Sequence, residues 1–515
     1  MTAQADETVF AADAHARVNG IAALITSYGS HETTANQVLF HAHAEHAQIV
    51  HIVAYPAIGQ DEDRFTLRRL LRQGQVSSID QAVAYNSVVV LGVFEHVSFA
   101  AKRIDDALSD CMFSRRPVYI GVPMIYADTL VEERRLVTGL CWRAPDFDSR
   151  KAQHVAEVIL RYVDSAKDPV IIVDGGVVRQ RLQNEVRQFV VRSGLPTFVT
   201  LQGKHAIDAD LPNHAGLYAG LQSAPGINER VNASDLVIHI GPVRSHINTT
   251  RYLHYLEFRN KVEINIDDHL VGRTVSYGLR AKPLIKALLS RLHEVNLSPG
   301  AILPNQGVGD PIDCITLGDD DDSITMSHFH LRMLKSMQDG DILINHLPLP
   351  DIENWVHHTI WERRDVAYGA CLGTCTASHL QSSGRVLVFA DEEYHQRAFL
   401  ELAPILTLGL RPIVYVLSPH GGKNANKYRF ICRDGSQIKE PESDDYDENE
   451  EILAGFGRDA FGFNLRSHGR YEMYAVRDKR LLEELLASDE FLSPSCLQVC
   501  CATYFGLFMV GRLTL

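Results

Sequence analysis

The sequence predicts an α/β fold built from mostly parallel sheets in about three domains. Two observations carry this. Short apolar runs of strand length alternate with helical segments along the whole chain. A length of 515 residues exceeds what one hydrophobic core serves. Hydrophobic residues make up 45% and charged residues 22%, an ordinary globular balance.

In the first third, Ile21–Tyr28 and Ile49–Tyr55 read as buried strands, Ser87–Phe94 as a shorter apolar run, Phe99–Asp110 as a helix and Val118–Val122 as a strand stopped by Pro123. A second unit follows a linker around Ala144–Ser149. Pro169–Asp174 runs into Gly175–Gly176, a strand and its turn, and Pro196–Thr200, Leu236–Ile240 and Val262–Ile266 continue the series. The stretch 297–326 is rich in Pro, Gly and Asp and reads as a linker. Asp341–Asn345, Val386–Ala390 and Ile413–Leu417 are the clearest strands of the last third. The acidic run 440–451 reads as a solvated loop, because like charges repel and no core forms there. The expected domains are therefore 1–143, 150–296 and 327–515.

Charge and composition narrow the partners. The balance of 50 Lys+Arg against 64 Asp+Glu gives a net charge of −14, which disfavours nucleic acid and anionic membranes. The nine Cys lack metal-type CxxC pairs and read as reduced, buried thiols, which with the polar start of the chain gives a cytoplasmic expectation. Phe505–Leu515 is apolar but too short to span a bilayer, and reads as a final strand or interface segment.

Several segments share their order and spacing with one family. They are VTLQGKHAID (Val199–Asp208), LPNHAGLYAG (Leu211–Gly220), ASDLVIHI (Ala233–Ile240) and GPVRSHIN (Gly241–Asn248) in the middle. AADAHARVNG (Ala11–Gly20), AEH (Ala44–His46) and RRPVYIGVP (Arg115–Pro123) precede them. DGDILI (Asp339–Ile344), RVLVFA (Arg385–Ala390) and LGLRPIVYVL (Leu408–Leu417) follow. The chain resembles the thiamine-diphosphate (ThDP) decarboxylases of 2-oxo acids, the pyruvate and indolepyruvate decarboxylase family. The resemblance implies three doubly wound parallel-sheet domains, the first of them truncated, with a non-catalytic central domain. It also implies a homodimer or homotetramer with cofactor sites between subunits.

Against that resemblance, five places depart from the family pattern. The Glu that activates the cofactor aligns with Ala5, with Glu7 two residues away. The His-His pair that moves protons aligns with Arg68 and Arg69; arginine stays protonated and is a poor acid–base. These arginines read either as a solvated helix face or as anion binders. The strand RVLVFA runs into Asp391-Glu392-Glu393-Tyr394, keeping a carboxylate where a magnesium ligand is expected but not the glycines beside the diphosphate. The second metal ligand, an Asn, aligns with Pro419, and a glycine-bearing segment near the cofactor ring becomes His346-Leu347-Pro348-Leu349.

These departures give the expectation that ThDP and magnesium are lost and that the vacated cleft serves a cofactor-independent reaction. That reaction would be a cyclisation, [4+2] cycloaddition or isomerisation of a hydrophobic, carbonyl-bearing natural-product precursor, helped by confinement and a hydrogen-bond donor. The candidate donors are His43, Arg68, Arg69, His346 and His420. A non-catalytic partner of an active decarboxylase and a ThDP-dependent 2-oxo acid decarboxylase are the alternatives. HAHAEH (His41–His46) has metal-like residue types, but Glu45 and His46 match the family as packing and interface residues. DGGVVRQR after Val173 is not a GxGxxG and needs no more than a strand–helix turn.

Overall fold

The computed structural model describes residues 5–27, 30–55, 88–90, 100–124, 128–130 and 149–295 save 205, 209, 221–222, 245–247, 249–260 and 267. Beyond these it describes 297, 324, 328–329, 332–333, 336–338, 340–345, 358–361, 367–381, 384–391, 398, 401–418, 430–431, 471–476, 479–488 and 497–503. The acidic run 440–451 and the apolar end Phe505–Leu515 lie outside the described residues. The chain divides into two compact units, one formed by residues 1–140, 315–350 and 357–515 and the other by 141–314 and 351–356. The first and last thirds thus share a unit.

The larger unit holds two sheets. In the first, α1 (Ala5–Asn19) turns into β1 (Ala22–Ser27), α2 (Ser30–Ala44) returns to β2 (Ile49–Tyr55), and β3 (Val88–Val90), α3 (Ala100–Ser114) and β4 (Val118–Pro123) complete it. All pairings are parallel, in the order β1-β2-β4-β3. Alternation sends Leu24, Ile49 and Val53 to a face covered by α1 and α2, where they meet Val9, Ala12 and Leu39. Val50, Val118 and Ile120 go to the opposite face, against Ala107 and Cys111 of α3.

The smaller unit begins with α4 (Ser149–Ser165), β5 (Pro169–Val173), α5 (Gly175–Arg179), α6 (Gln183–Ser193), β6 (Thr197–Val199) and β7 (His214–Leu217). It continues through α7 (Ile227–Ala233), β8 (Leu236–Ile240), β9 (Lys261–Ile264), the hairpin β10 (Asp268–Val271) and β11 (Thr274–Tyr277), and α8 (Ala281–Arg291). Its seven strands lie in the order β11-β10-β9-β8-β5-β6-β7, antiparallel only across β9, β10 and β11. Every residue of β5 is buried, as a central parallel strand covered on both faces requires.

The larger unit's second sheet takes β12 (Ile342–Asn345), β13 (His358–Trp361), α9 (Ala367–Gln381), β14 (Val386–Asp391), α10 (Leu402–Thr407), β15 (Ile413–Ser418) and β16 (Phe430–Ile431). It then adds β17 (Tyr471–Val476), α11 (Lys479–Leu486) and β18 (Leu497–Thr503). The order is β13-β12-β14-β15-β18-β17-β16, parallel except for β16 on β17. The α/β class with parallel sheets is therefore present in all three sheets. Among the described residues no helix is long and apolar enough to cross a membrane.

Two helices join the sheets of the larger unit. One side of α1 enters the first sheet's core through Val9, Ala12 and Ala16, while Ala14 enters the second sheet's core beside Ala370, Cys371 and Cys375 of α9. Small residues let the backbones approach closely. A Cβ added to Gly373 would lie 1.9 Å from the carbonyl oxygen of Ala11. One turn further along, His15 Nδ1 lies 3.1 Å from Thr376 Oγ1. Asn19 Nδ2 sits 3.3 Å from His15 Nε2, and the Thr376 hydroxyl donates to the Gly373 carbonyl at 2.8 Å. This order has the Nδ1–H donating to the Thr376 oxygen and keeps the ring neutral, in line with burial pushing its pKa down.

Replacing Gly373 by Ala or Val forces α9 off α1, because the neighbouring atom is backbone and cannot rotate away. The expected cost is about 1–3 kcal/mol for Ala and more for Val, read as a lower midpoint in denaturant unfolding. Wild-type stability in both variants would contradict this packing.

Candidate functional site

Open parallel sheets bind ligands outside the carboxyl ends of their strands, where successive connections leave in opposite directions. In the larger unit's second sheet, the chain leaves β12 for β13 on one side and returns to β14 on the other. Asn345 ends β12 and Asp391 ends β14, with Ser418 ending the adjacent β15. An acidic residue thus stands at the switch point.

The first sheet presents its carboxyl ends to the same side. His15 meets Thr376 four residues after Ala11 meets Gly373, so α1 and α9 run in the same direction. Each leads into the amino end of a strand, β1 and β14 respectively. The carboxyl ends of those strands, Ser27 and Asp391, therefore lie on one side of the unit. The start of α1 lies there too, with Ala5 opening the helix and Glu7 in its first turn.

Polar groups collect at the β1–α2 junction on that side. Ser27 Oγ lies 2.8 Å from Nδ1 of the exposed His31. Glu32, next in α2, is fully buried and accepts a hydrogen bond from the Tyr119 hydroxyl at 2.5 Å. Tyr119 meets the edge of the His51 ring, whose Nε2 is 2.8 Å from Thr26 Oγ1. Burial pushes the His51 pKa down to about 4, so this ring is neutral. The chain of contacts ties β1, β2 and β4 to the first turn of α2 and fixes where His31 emerges.

Of the five sequence-predicted candidates, Arg68, Arg69, His346 and His420 lie outside the described residues. His43 is described, and it sits in the last turn of α2. That turn lies at the amino end of the first sheet: Ala22 N donates to Gln48 O, and Gln48 Nε2 reaches the Cys111 carbonyl at the end of α3. Burial and then the nearby positive charge of Arg116 push the His43 pKa down. The structure thus separates His43 from the carboxyl-end groups. The HAHAEH segment ends its helix instead of continuing it: His46 takes a left-handed φ of 56°, and Ala47 N bonds to Ala42 O at 2.9 Å. The sequence reading misses Ser27 and His31, although their spacing of four residues across a strand–helix junction is visible there.

The smaller unit has a switch point too, between β5 and β8, and its own side chains fill it. Asp174 is 1% exposed at the end of β5. Its carboxylate accepts from Gly175 N at 2.6 Å, Thr200 Oγ1 at 2.6 Å, Asn248 Nδ2 at 2.8 Å and Val243 N at 2.9 Å, and faces His239 Nε2 at 3.1 Å. Burial alone would raise this pKa, but His239, Thr200 and Val243 together outweigh it and hold it below the ordinary value. The DGG turn is thereby explained as a structural closure.

The family described as the thiamine pyrophosphate enzyme central domain matches residues 156–292, which lie in the smaller unit. The pyruvate decarboxylase of Aspergillus terreus is 29% identical over 500 residues, covering 95% of this chain and 84% of that protein. The pyruvate decarboxylase of Aspergillus fumigatus shows the same identity and coverage. Pyruvate decarboxylase isozyme 1 of Saccharomyces cerevisiae is 25% identical over 426 residues, covering 80% of this chain and 74% of that protein.

These matches correct the expectation that ThDP and magnesium are lost. The matched central domain is that of thiamine pyrophosphate enzymes, and the similarity to pyruvate decarboxylases runs over nearly the whole chain. Physically, the expectation takes changed neighbours for a missing site. An aspartate, a residue type whose oxygens suit a hard cation, still ends β14 at the switch point.

Removing the Asp174 carboxylate leaves buried donors unpaired. D174A is expected to lose about 3 kcal/mol of stability. Because folding lowers this pKa, its contribution is present above the ordinary aspartate value of 3.8 and is lost as pH falls below it. The stability gap between wild type and D174N, followed by denaturant unfolding, should therefore narrow below that pH. A pH-independent gap would contradict the assignment.

Proposed function

We propose that the chain, which is similar to ThDP-dependent pyruvate decarboxylases over nearly its whole length, is a member of that family, binds thiamine diphosphate with magnesium on the carboxyl-end side of the larger unit and decarboxylates a 2-oxo acid. The observation that carries this is Asp391 at the switch point between β12 and β14. An aspartate is the kind of oxygen ligand that magnesium requires, and the carboxyl ends of β12 and β15 flank this position. Thiamine diphosphate, when bound, supplies the electron sink for loss of carbon dioxide. The relatives' printed names, pyruvate decarboxylase, favour a 2-oxo acid as the substrate class. Glu7, in the first turn of α1, is the acidic residue that replaces the position held by Ala5 if the register shifts by two. A homodimer is the assembly and the cytoplasm the compartment that accompany this reading.

The cyclisation reading presupposes an empty cofactor cleft and loses its premise. A second reading, cofactor binding without turnover in a partner of an active decarboxylase, is favoured by Ala5, Arg68, Arg69 and Pro419 at the family's acid, proton-transfer and metal positions.

Titration calorimetry with ThDP, with and without Mg²⁺, combined with carbon dioxide release from pyruvate and from a bulkier aryl 2-oxo acid, separates these readings. Magnesium-dependent binding with release of carbon dioxide is the expected outcome, and D391A should weaken binding about tenfold or more. Binding without release selects the second reading. Absence of ThDP binding overturns both.

A further inference from the structure

We propose that His31, oriented by Ser27, is the imidazole that exchanges protons with the substrate on the carboxyl-end side of the larger unit. This rests on the decarboxylase reading above and adds a residue that the family pattern does not supply. The family's proton-transfer histidines align with Arg68 and Arg69, and a guanidinium does not give up its proton near neutral pH. A proton carrier has to come from elsewhere.

His31 has the placement and the partner for that role. Ser27 is the last residue of β1, at the strand's carboxyl end, and His31 lies in the first turn of α2. Their side chains meet at 2.8 Å through Nδ1. With Nδ1–H donating to the Ser27 hydroxyl oxygen, Nε2 is the atom left for the substrate, and it carries the exchangeable proton when the ring is the imidazolium. The turn beneath is fixed by the buried Glu32–Tyr119 hydrogen bond, so the ring stands on a rigid base.

The other described histidines of the larger unit are committed elsewhere. His15 bridges α1 and α9. His51 is buried against Tyr119. His41, His43 and His46 belong to the last turn and cap of α2 at the amino end of the sheet. His328 is buried, His358 opens β13 at its amino end, and His379 lies in the last turn of α9, which leads into the amino end of β14. Among the described residues of this unit, His31 is the exposed histidine at a strand's carboxyl end.

The proton balance is simple. The bond between the carboxylate and the carbonyl carbon breaks, carbon dioxide leaves, and the electron pair of that bond stays with the former carbonyl carbon. The Nε2 proton of the imidazolium completes that carbon's valence, leaving the neutral ring protonated on Nδ1, and solvent returns a proton to Nε2. Overall, one 2-oxo carboxylate and one proton become one aldehyde and one carbon dioxide.

The test combines calorimetry, turnover and chemical labelling on the full chain. H31A should bind Mg²⁺–ThDP as wild type does, yet lose about a hundredfold or more in aldehyde formation. Added imidazole should restore part of that loss, and S27A should show a smaller one. Independently of turnover, Mg²⁺–ThDP with pyruvate should slow carbethoxylation of His31 by diethyl pyrocarbonate, read by peptide mass spectrometry. Full turnover in H31A, or an unchanged labelling rate with cofactor and pyruvate bound, overturns the assignment while leaving the decarboxylase reading intact. Failure of wild type to bind ThDP removes both.

Discussion

The contact between α1 and α9 is the constraint on which the larger unit depends. It joins segments more than 350 residues apart, as the His15–Thr376 pair shows. The approach is possible because both helices carry small residues where they meet: Ala11 and Ala14 on one, Ala370 and Gly373 on the other. Close approach brings many weak dispersion contacts into range, and the polar bridge at His15 fixes the register. Each helix feeds the amino end of a parallel strand, so the direction of this packing decides where the strand ends face.

That geometry sorts the polar groups by consequence. Ser27 and His31 lie at the carboxyl end of the edge strand β1, and Asp391 lies at the carboxyl end of β14, where backbone connections diverge. His43, Gln48 and Arg116 lie at amino ends, where the chain closes its own helix termini. In the smaller unit the equivalent carboxyl-end space is occupied by Asp174 and its donors. The same topological position thus holds a structure together in one sheet and places an acidic residue at a strand end in another.

Much of the fold is legible in the sequence. Pure apolar runs such as PVIIV over Pro169–Val173 and VLVFAD over Val386–Asp391 announce parallel strands buried on both faces. The hairpin of β10 and β11 is harder to see, because its outer strand is largely exposed and offers no apolar run. Its signal is Gly272, at a φ of 62° in the two-residue turn between Val271 and Thr274. The site is less legible. Periodicity tells which face of α2 is buried, but not which end of the helix lies at the carboxyl ends of the strands. That is why His43 stands out in the sequence while His31, near the start of the same helix, does not. The substitutions in the segment that begins with Asp391 suggest loss of the cofactor in the sequence, whereas the position of that strand end is set by the sheet and not by its neighbours.

Cofactor binding at the carboxyl ends of the larger unit's parallel strands is tested most directly by hydrogen–deuterium exchange of the full chain with and without Mg²⁺–ThDP. Protection is expected at the Ser27–Glu32 junction and at the ends of β12, β14 and β15, around Asn345, Asp391 and Ser418. Exchange at the last turn of α2 around His43, and around Asp174 in the smaller unit, should stay unchanged. Protection centred on those latter segments, or no change anywhere at saturating cofactor, would contradict this placement.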